Sequence, residues 1–183
     1  MNIKILFSIL LLYSYVSKAD TLGIETGLNI PRFVSLKSND SNLRIGPSKD
    51  YPIKLKYIIA NTPIEIIDEY NNWRKINDFE GNQGWMHKSL LSGKRYALVN
   101  PPYDEDVQIY HRPKGKIKGK IGKYNIIKIK TCTKNWCSIK YENSSGWINK
   151  INIWGTYPEE EFNIPFYQSL INQYWTVLIW LGR

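Results

Sequence analysis

Short runs of alternating apolar and polar residues fill the chain between residues 32 and 155. This alternation is typical of half-buried β-strands. In the first half it predicts strands over residues 33–37, 43–45, 53–59, 64–70, 73–78 and 83–86. In the second half it predicts strands over residues 95–99, 107–109, 124–131, 136–141 and 146–148. Residues 114–120 place Gly115 and Gly119 among lysines, and we expect a loop there.

Three landmarks of the first half recur in the second half at a nearly constant offset. An Asn-Trp pair recurs after 63 residues, and a Gly-Trp pair and a later glycine recur after 62. The landmarks are Asn72-Trp73 and Asn135-Trp136, Gly84-Trp85 and Gly146-Trp147, and Gly93 and Gly155. A fixed period of this length indicates two copies of one small domain. We place repeat one at residues 32–93 and repeat two at residues 94–155. Because a module of about 60 residues is marginally stable alone, we expect the copies to pack together.

The motifs of repeat one resemble those of the bacterial Src-homology-3 (SH3-like) family. They are Asn-Leu-Arg-Ile-Gly-Pro at 42–47, Tyr51-Pro52, a hairpin with Trp73, and Gly84-Trp85 followed by a hydrophobic residue. Repeat two diverges in its loop, where Ile-Tyr-His-Arg-Pro stands at 109–113. The resemblance implies an all-β fold of two tandem small SH3-like β-barrels. It also implies an exported, often envelope-associated binding module, and it does not imply catalysis.

The two ends of the chain differ in character from the repeats. Residues 1–19 combine Lys4, an apolar stretch and a small-x-small ending at Ala19, which predicts a signal peptide cleaved before Asp20. An uncleaved membrane anchor is the alternative, although the stretch is short for a bilayer span. Residues 20–31 have no sustained periodicity and are interpreted as a linker. Export would place the protein in the periplasm or outside the cell.

The tail at residues 156–183 contains apolar residues at helical spacing. They are Tyr167, Leu170, Ile171, Tyr174, Trp175 and Leu178. The spacing predicts a short C-terminal amphipathic α-helix that packs on the barrels or docks a partner. Peripheral membrane contact through residues 166–181 is the alternative.

The two cysteines can be placed by the repeat. If Asn71-Asn72 is a hairpin turn, Glu69 lies opposite Arg74, and the equivalent residues of repeat two are Cys132 and Cys137. Directly opposite residues are close enough for a disulfide, which export favours. A zinc site would need His87 and His111 to converge on the same cysteines, and their spacing does not indicate this.

The charge of the chain is concentrated in repeat two. The formal net charge is +9, and no acidic residue occurs between residues 107 and 141. The candidate residues for binding an anionic surface are Arg112, Lys114, Lys116, Lys118 and Lys120. A solvated face that reflects coding bias is the alternative. We expect the acidic run at 104–106 to be solvated and, because the protein is exported, we expect no nucleic-acid partner.

Aromatic residues near the loops and hairpins are candidates for a ligand groove. They are Tyr51, Tyr57, Trp73, Tyr110 and Trp136, although tryptophans beside a turn can also be structural. No hydrolase constellation is present in the sequence, and we expect no cofactor or metal. The sequence therefore predicts a non-catalytic binding module for peptidoglycan, another anionic envelope component or envelope proteins. The alternatives are an accessory subunit of a cell-wall enzyme, or an adaptor that docks through its tail.

Overall fold

The computed structural model describes residues 21–165 of the 183-residue chain. The predicted signal peptide at 1–19 and the predicted helix beyond residue 165 lie outside the described residues. Between these limits the fold is all-β, as predicted, with two seven-stranded antiparallel sheets and one small hairpin. Within residues 21–165, no helix is long and apolar enough to cross a membrane.

The first large sheet is built from repeat one. Its strands are β3 (Arg32–Leu36), β4 (Ser41–Arg44), β5 (Ile53–Tyr57), β6 (Pro63–Tyr70), β7 (Trp73–Asn77), β8 (Gln83–His87) and β9 (Leu91–Ser92). They are ordered β5-β4-β8-β7-β6-β3-β9. A 3₁₀ turn at Lys88–Leu90 connects β8 to β9. The alternating inward residues form one core of Val34, Leu36, Leu43, Ile64, Ile66, Ile76 and Met86.

The second large sheet repeats this order of strands. Its strands are β10 (Tyr96–Val99), β11 (Val107–Tyr110), β12 (Ile117–Ile121), β13 (Ile126–Cys132), β14 (Trp136–Tyr141), β15 (Ser144–Asn149) and β16 (Ile153–Trp154). They are ordered β12-β11-β15-β14-β13-β10-β16. Each strand thus has a counterpart in repeat one, and the core again consists of inward aliphatic residues, joined here by the two cysteines.

The expectation of a loop at residues 114–120 is wrong, because most of this segment belongs to strand β12. Among residues 21–165, strand β12 pairs only with β11 and forms the edge of its sheet, and its residues 117–120 are exposed. A lysine-rich edge strand is a common protection against pairing with another chain. The counterpart edge strand β5 carries Lys54 and Lys56 in the same way.

Residues 21–30, expected to be a linker, form a hairpin that docks on repeat one. Strand β1 (Thr21–Leu22) pairs with β2 (Asn29–Ile30). The backbone N–H groups of Glu25 and Thr26 donate to one carboxylate oxygen of Glu69, each at 3.0 Å. A side chain at Gly23 would collide with this carboxylate, since a Cβ there would lie 2.5 Å from Oε2.

The register predicted for the two central hairpins is confirmed. Glu69 lies opposite Arg74 in β6–β7, and Cys132 lies opposite Cys137 in β13–β14. The two cysteines form a disulfide with an S–S distance of 1.96 Å and are completely buried. One repeat therefore holds a charged pair where the other holds a covalent bond.

The two repeats contact each other through aromatic side chains. The ring of Phe33 in β3 lies 5.0 Å from the ring of Trp154 and 4.7 Å from that of Tyr157. The Tyr157 hydroxyl donates to Glu65 Oε1 at 2.9 Å, and burial together with this carboxylate raises its pKa. The repeats pack together, as predicted.

Candidate functional site

A cleft of about 270 Å³ lies on the outer face of repeat one. It is lined by Asn42, Arg44, Lys49, Trp73, His87, Ser89 and Leu90. Strands β7 and β8 place Trp73 directly opposite His87, and the two rings meet edge to face with centroids 5.4 Å apart. Strand β4 adds Arg44, which pairs with Trp85 of β8. The cleft thus depends on cross-strand register rather than on neighbours in the sequence.

The polar side chains that line this cleft include cations, and none of those within the described part of the chain is a carboxylate. Arg44 Nη1 donates to the carbonyl of Tyr51 at 2.6 Å, which fixes the guanidinium against the loop after β4. The ring nitrogen Nδ1 of His87 lies 2.8 Å from the Ser89 hydroxyl. The arrangement places positive charge beside the Trp73–His87 pair, in which Trp73 itself is 9% exposed, and it suits a ligand that has a carboxylate near an apolar group.

Of the three groove candidates in repeat one, only Trp73 lines the cleft. The ring of Tyr51 packs over Gly46, where an added Cβ would lie 2.6 Å from the ring carbons. Tyr57 packs against the core, and its hydroxyl donates to Asp78 Oδ2 at 2.9 Å. Burial, followed by the bond to Asp78, raises the pKa of Tyr57. Its hydroxyl is engaged inside the fold, so it does not contribute to the cleft.

The two groove candidates in repeat two lie side by side. The rings of Tyr110 and Trp136 meet edge to face with centroids 5.2 Å apart. Trp136 also lines a wider cleft of about 610 Å³ that includes Lys114, Lys134 and Glu159. Tyr110 occupies the position that Arg44 has in repeat one, since both pair with the tryptophan of the Gly-Trp motif. The two repeats therefore offer clefts of different chemistry.

The five basic candidates of repeat two are all exposed but do not form one surface. Lys118 and Lys120 lie on the same face of β12, and Lys114 lies at the cleft beside Trp136. The Lys118 ammonium donates to the carbonyl of Ser145. Lys54 of repeat one makes the same kind of bond to Gln83, at 2.9 Å. Part of the lysine pattern thus belongs to the edge strands of both barrels. Arg112 and Lys116 are placed on the adjoining turn.

Arg44, Lys49 and His87 were not among the groove candidates selected from the sequence. The strand pairing identifies Arg44 and His87. His87 lies directly opposite Trp73, and Arg44 lies opposite Trp85, which is two residues from His87 and therefore on the same face of the sheet. Lys49 belongs to a loop whose path the sequence does not fix. Within residues 21–165 there is no group of three or more metal-ligating side chains. The sulfurs of Cys132 and Cys137 are bonded to each other, which excludes the alternative zinc site in this state.

Comparison with known proteins identifies both repeats. The bacterial SH3 domain family matches residues 37–93 and 105–155. An NlpC/P60 family protein from Bacillus cereus is 14% identical over 76% of this chain and 61% of its own, with a TM-score of 0.30. NlpC1 from Trichomonas vaginalis is 14% identical over 74% of this chain and 49% of its own, with a TM-score of 0.31. The chain spans less than two thirds of the length of either structure. No curated protein matches the chain.

Proposed function

The chain belongs to the bacterial SH3 domain family, and we propose on this premise that it is an exported, non-catalytic binding module of the cell envelope. Its ligand is a carboxylate-bearing envelope component, of which peptidoglycan is the candidate. The binding site is the repeat-one cleft formed by Arg44, Lys49, Trp73 and His87.

One observation carries this proposal. Arg44 and Lys49 lie at a cleft whose wall is the Trp73–His87 pair, and no lining side chain is acidic. A guanidinium held in place by a carbonyl presents its remaining N–H groups in a fixed direction, which suits a carboxylate. His87 and the small exposed part of Trp73 add apolar contact area for a sugar or peptide unit. Peptidoglycan contains both kinds of group, carboxylates and sugar or peptide units.

The proposal predicts an affinity that depends on salt. Charges at an exposed cleft are screened as the ionic strength rises, because the Debye length falls from about 10 Å at 0.1 M to about 3 Å at 1 M. If only the aromatic side chains made the contact, the affinity would change little over the same range of salt concentration. The salt dependence therefore reports the contribution of Arg44 and Lys49.

Sedimentation of the purified chain with insoluble peptidoglycan tests the proposal. We expect binding that weakens between 0.05 and about 0.5 M salt, with no soluble muropeptide released. The variant Lys49→Gln should bind more weakly, and Trp73→Phe should also lose affinity while it keeps a ring in the wall. Lys56→Gln is the matched control, since it removes one exposed lysine of repeat one that does not line the cleft.

Two results would contradict the proposal. Equal binding by Lys49→Gln and the parent chain would exclude this cleft as the site. Release of soluble fragments would indicate an enzyme or an enzyme subunit instead.

A further inference from the structure

A second cavity opens into the barrel of repeat two, on the side of the sheet edge. Its volume is about 200 Å³. The apolar part of its lining consists of Ile109, Ile121, Ile139 and Tyr141. The remaining part is formed by Lys118, Gly119 and Lys120 of strand β12 and by Ser144, Ser145 and Gly146. The cavity lies in a different repeat from the Trp73 cleft, so it is independent of the proposed function.

Comparison of the two edge strands shows how the lining of the cavity differs from repeat one. Strand β5 pairs with β4 as β12 pairs with β11, and both pairs have a register shift at the same point. This alignment matches Leu55 with Gly119 and Tyr57 with Ile121. Repeat two thus has a glycine and an isoleucine where repeat one has a leucine and a tyrosine. Repeat two in turn has Tyr141 where repeat one has Asp78, so the lost volume is partly replaced, and the space that remains is the one beside Gly119.

The space at Gly119 is open in the structure. A Cβ added to Gly119 would meet no heavy atom within 4 Å. The opposite wall is tight, because a Cβ at Gly146 would lie 2.4 Å from Ile109 Cγ2. The cavity can therefore be filled from the side of the edge strand without disturbing the core.

Two lysines give the rim of the cavity a positive charge. Lys118 and Lys120 alternate with Gly119 and Ile121 along β12 and therefore lie on the outer face of the strand, and the Lys118 ammonium reaches the rim of the cavity by donating to the Ser145 carbonyl. None of the described residues that line the cavity is acidic. An apolar space with cations at its mouth is complementary to a group that is apolar at one end and anionic at the other.

We propose that this cavity binds a carboxylate that carries a ring-sized or branched apolar group. The size fits, because an apolar cavity of about 150 Å³ is known to hold benzene. The apolar group contacts Ile121, Ile139 and Tyr141, and the carboxylate meets Lys118 and Lys120. Such chemistry occurs at the C-terminus of a peptide that ends in leucine or phenylalanine, and in short free acids.

Titration of the full chain with three small probes tests the proposal and separates the two sources. The probes are N-acetyl-L-leucine, its amide, and 4-methylpentanoate, followed by the methyl NMR signals of Ile121 and Ile139. We expect the acetylated acid to shift these signals and the amide to bind about tenfold more weakly, a ratio that corresponds to one lost charged contact. If 4-methylpentanoate binds as tightly as N-acetyl-L-leucine, the site is one for free acids. If only N-acetyl-L-leucine shifts the signals, the site is one for a peptide C-terminus. The proposal is overturned if neither acid shifts the signals, or if the amide binds as tightly as the acid.

Variants of Gly119 provide the second test. Gly119→Leu restores the residue of repeat one and should lower the affinity at least about tenfold, with Gly119→Ala intermediate. The thermal midpoint should not fall in either variant, which distinguishes a filled cavity from an unfolded barrel. Lys118→Gln should also weaken binding, whereas Lys54→Gln, its counterpart in repeat one, should not. Unchanged affinity in a folded Gly119→Leu chain would refute the site.

Discussion

Arg95 holds Glu160 in a two-pronged ion pair, with Arg95 Nη2 donating to Glu160 Oε2 at 2.9 Å and Nη1 donating to Oε1. The counterpart of Arg95 in repeat one is Arg32, whose Nη2 donates to Glu69 Oε1 at 2.7 Å. Repeat two has Cys132 at the position of Glu69, so the carboxylate comes from the segment after β16 instead. That segment also pairs with Cys132 through the backbone of Phe162. Both repeats thus keep the arginine and cover it with a terminal segment.

The first prediction concerns the variant Glu160→Gln. It removes a charged partner of Arg95, and we expect a loss of about 2 kcal/mol in the free energy of unfolding. Urea denaturation followed by tryptophan fluorescence measures this loss. Glu159→Gln is the matched control, because Glu159 is exposed and makes no ion pair with Arg95 among the described residues. Equal stability of the two variants would show that the ion pair does not contribute.

The second prediction concerns the pH dependence that Glu69 produces. Burial alone raises the pKa of Glu69, but the bonds from Arg32, Thr26 and the Glu25 N–H outweigh burial and leave the pKa below its ordinary value of 4.5. A carboxyl with a lowered pKa in the folded state contributes stability that is fully present above pH 4.5 and is lost as the pH falls through the folded pKa.

The variant Glu69→Gln isolates this effect. At pH 7 we expect it to be less stable by about 3 kcal/mol, because it leaves two arginines without their buried carboxylate. The difference from the parent chain should shrink as the pH falls from about 5 to about 2. Urea unfolding curves at several pH values measure it. A difference that stays constant with pH would contradict the assigned role of the Glu69 charge.

The third prediction concerns the disulfide. The chain isolated without reductant should contain no free thiol, as measured by mass spectrometry after alkylation. Replacing both Cys132 and Cys137 by alanine should lower the free energy of unfolding by about 2 kcal/mol, because the unfolded chain is no longer restricted by the short loop that the disulfide closes. Detection of two alkylated thiols in the unreduced protein would overturn the pairing.

The fourth prediction concerns the contact between the repeats. Phe33→Ala removes the ring that touches Trp154 and Tyr157, and we expect a loss of about 3 kcal/mol. Because this ring joins the two barrels, calorimetry should show one unfolding transition for the parent chain and two for the variant. Tyr103→Ala is the control, since it removes a ring of repeat two that is 77% exposed. A single transition in Phe33→Ala would show that other contacts couple the repeats.

The sequence was informative wherever the repeat supplied a register. The offset of 63 residues predicted that Cys132 faces Cys137, because a hairpin with a two-residue turn leaves no other pairing. The prediction of a loop around Gly119 was wrong. Lysine and glycine are typical of loops, but an edge strand with one solvated side tolerates both. The sequence also did not predict the hairpin at 21–30. Each strand of that hairpin has two residues, and its position depends on the distant Glu69 carboxylate.

The site was harder to predict than the fold for a related reason. Trp73 was selected because of its type, whereas Arg44 and His87 join it through pairings between strands that are distant in sequence. Tyr57 has the residue type expected of a groove, yet Asp78 holds its hydroxyl inside the barrel. Residue type identifies aromatic candidates, but only strand register decides which of them share a surface.

The two terminal segments have a mechanical consequence. A pull on the chain at residue 21 would first detach the hairpin from Glu69, and a pull beyond residue 162 would first separate Phe162 from Cys132 and Glu160 from Arg95. Each barrel would lose its cover before any of its own strands came under tension. We therefore expect these two covers to detach under force before the barrels behind them unfold.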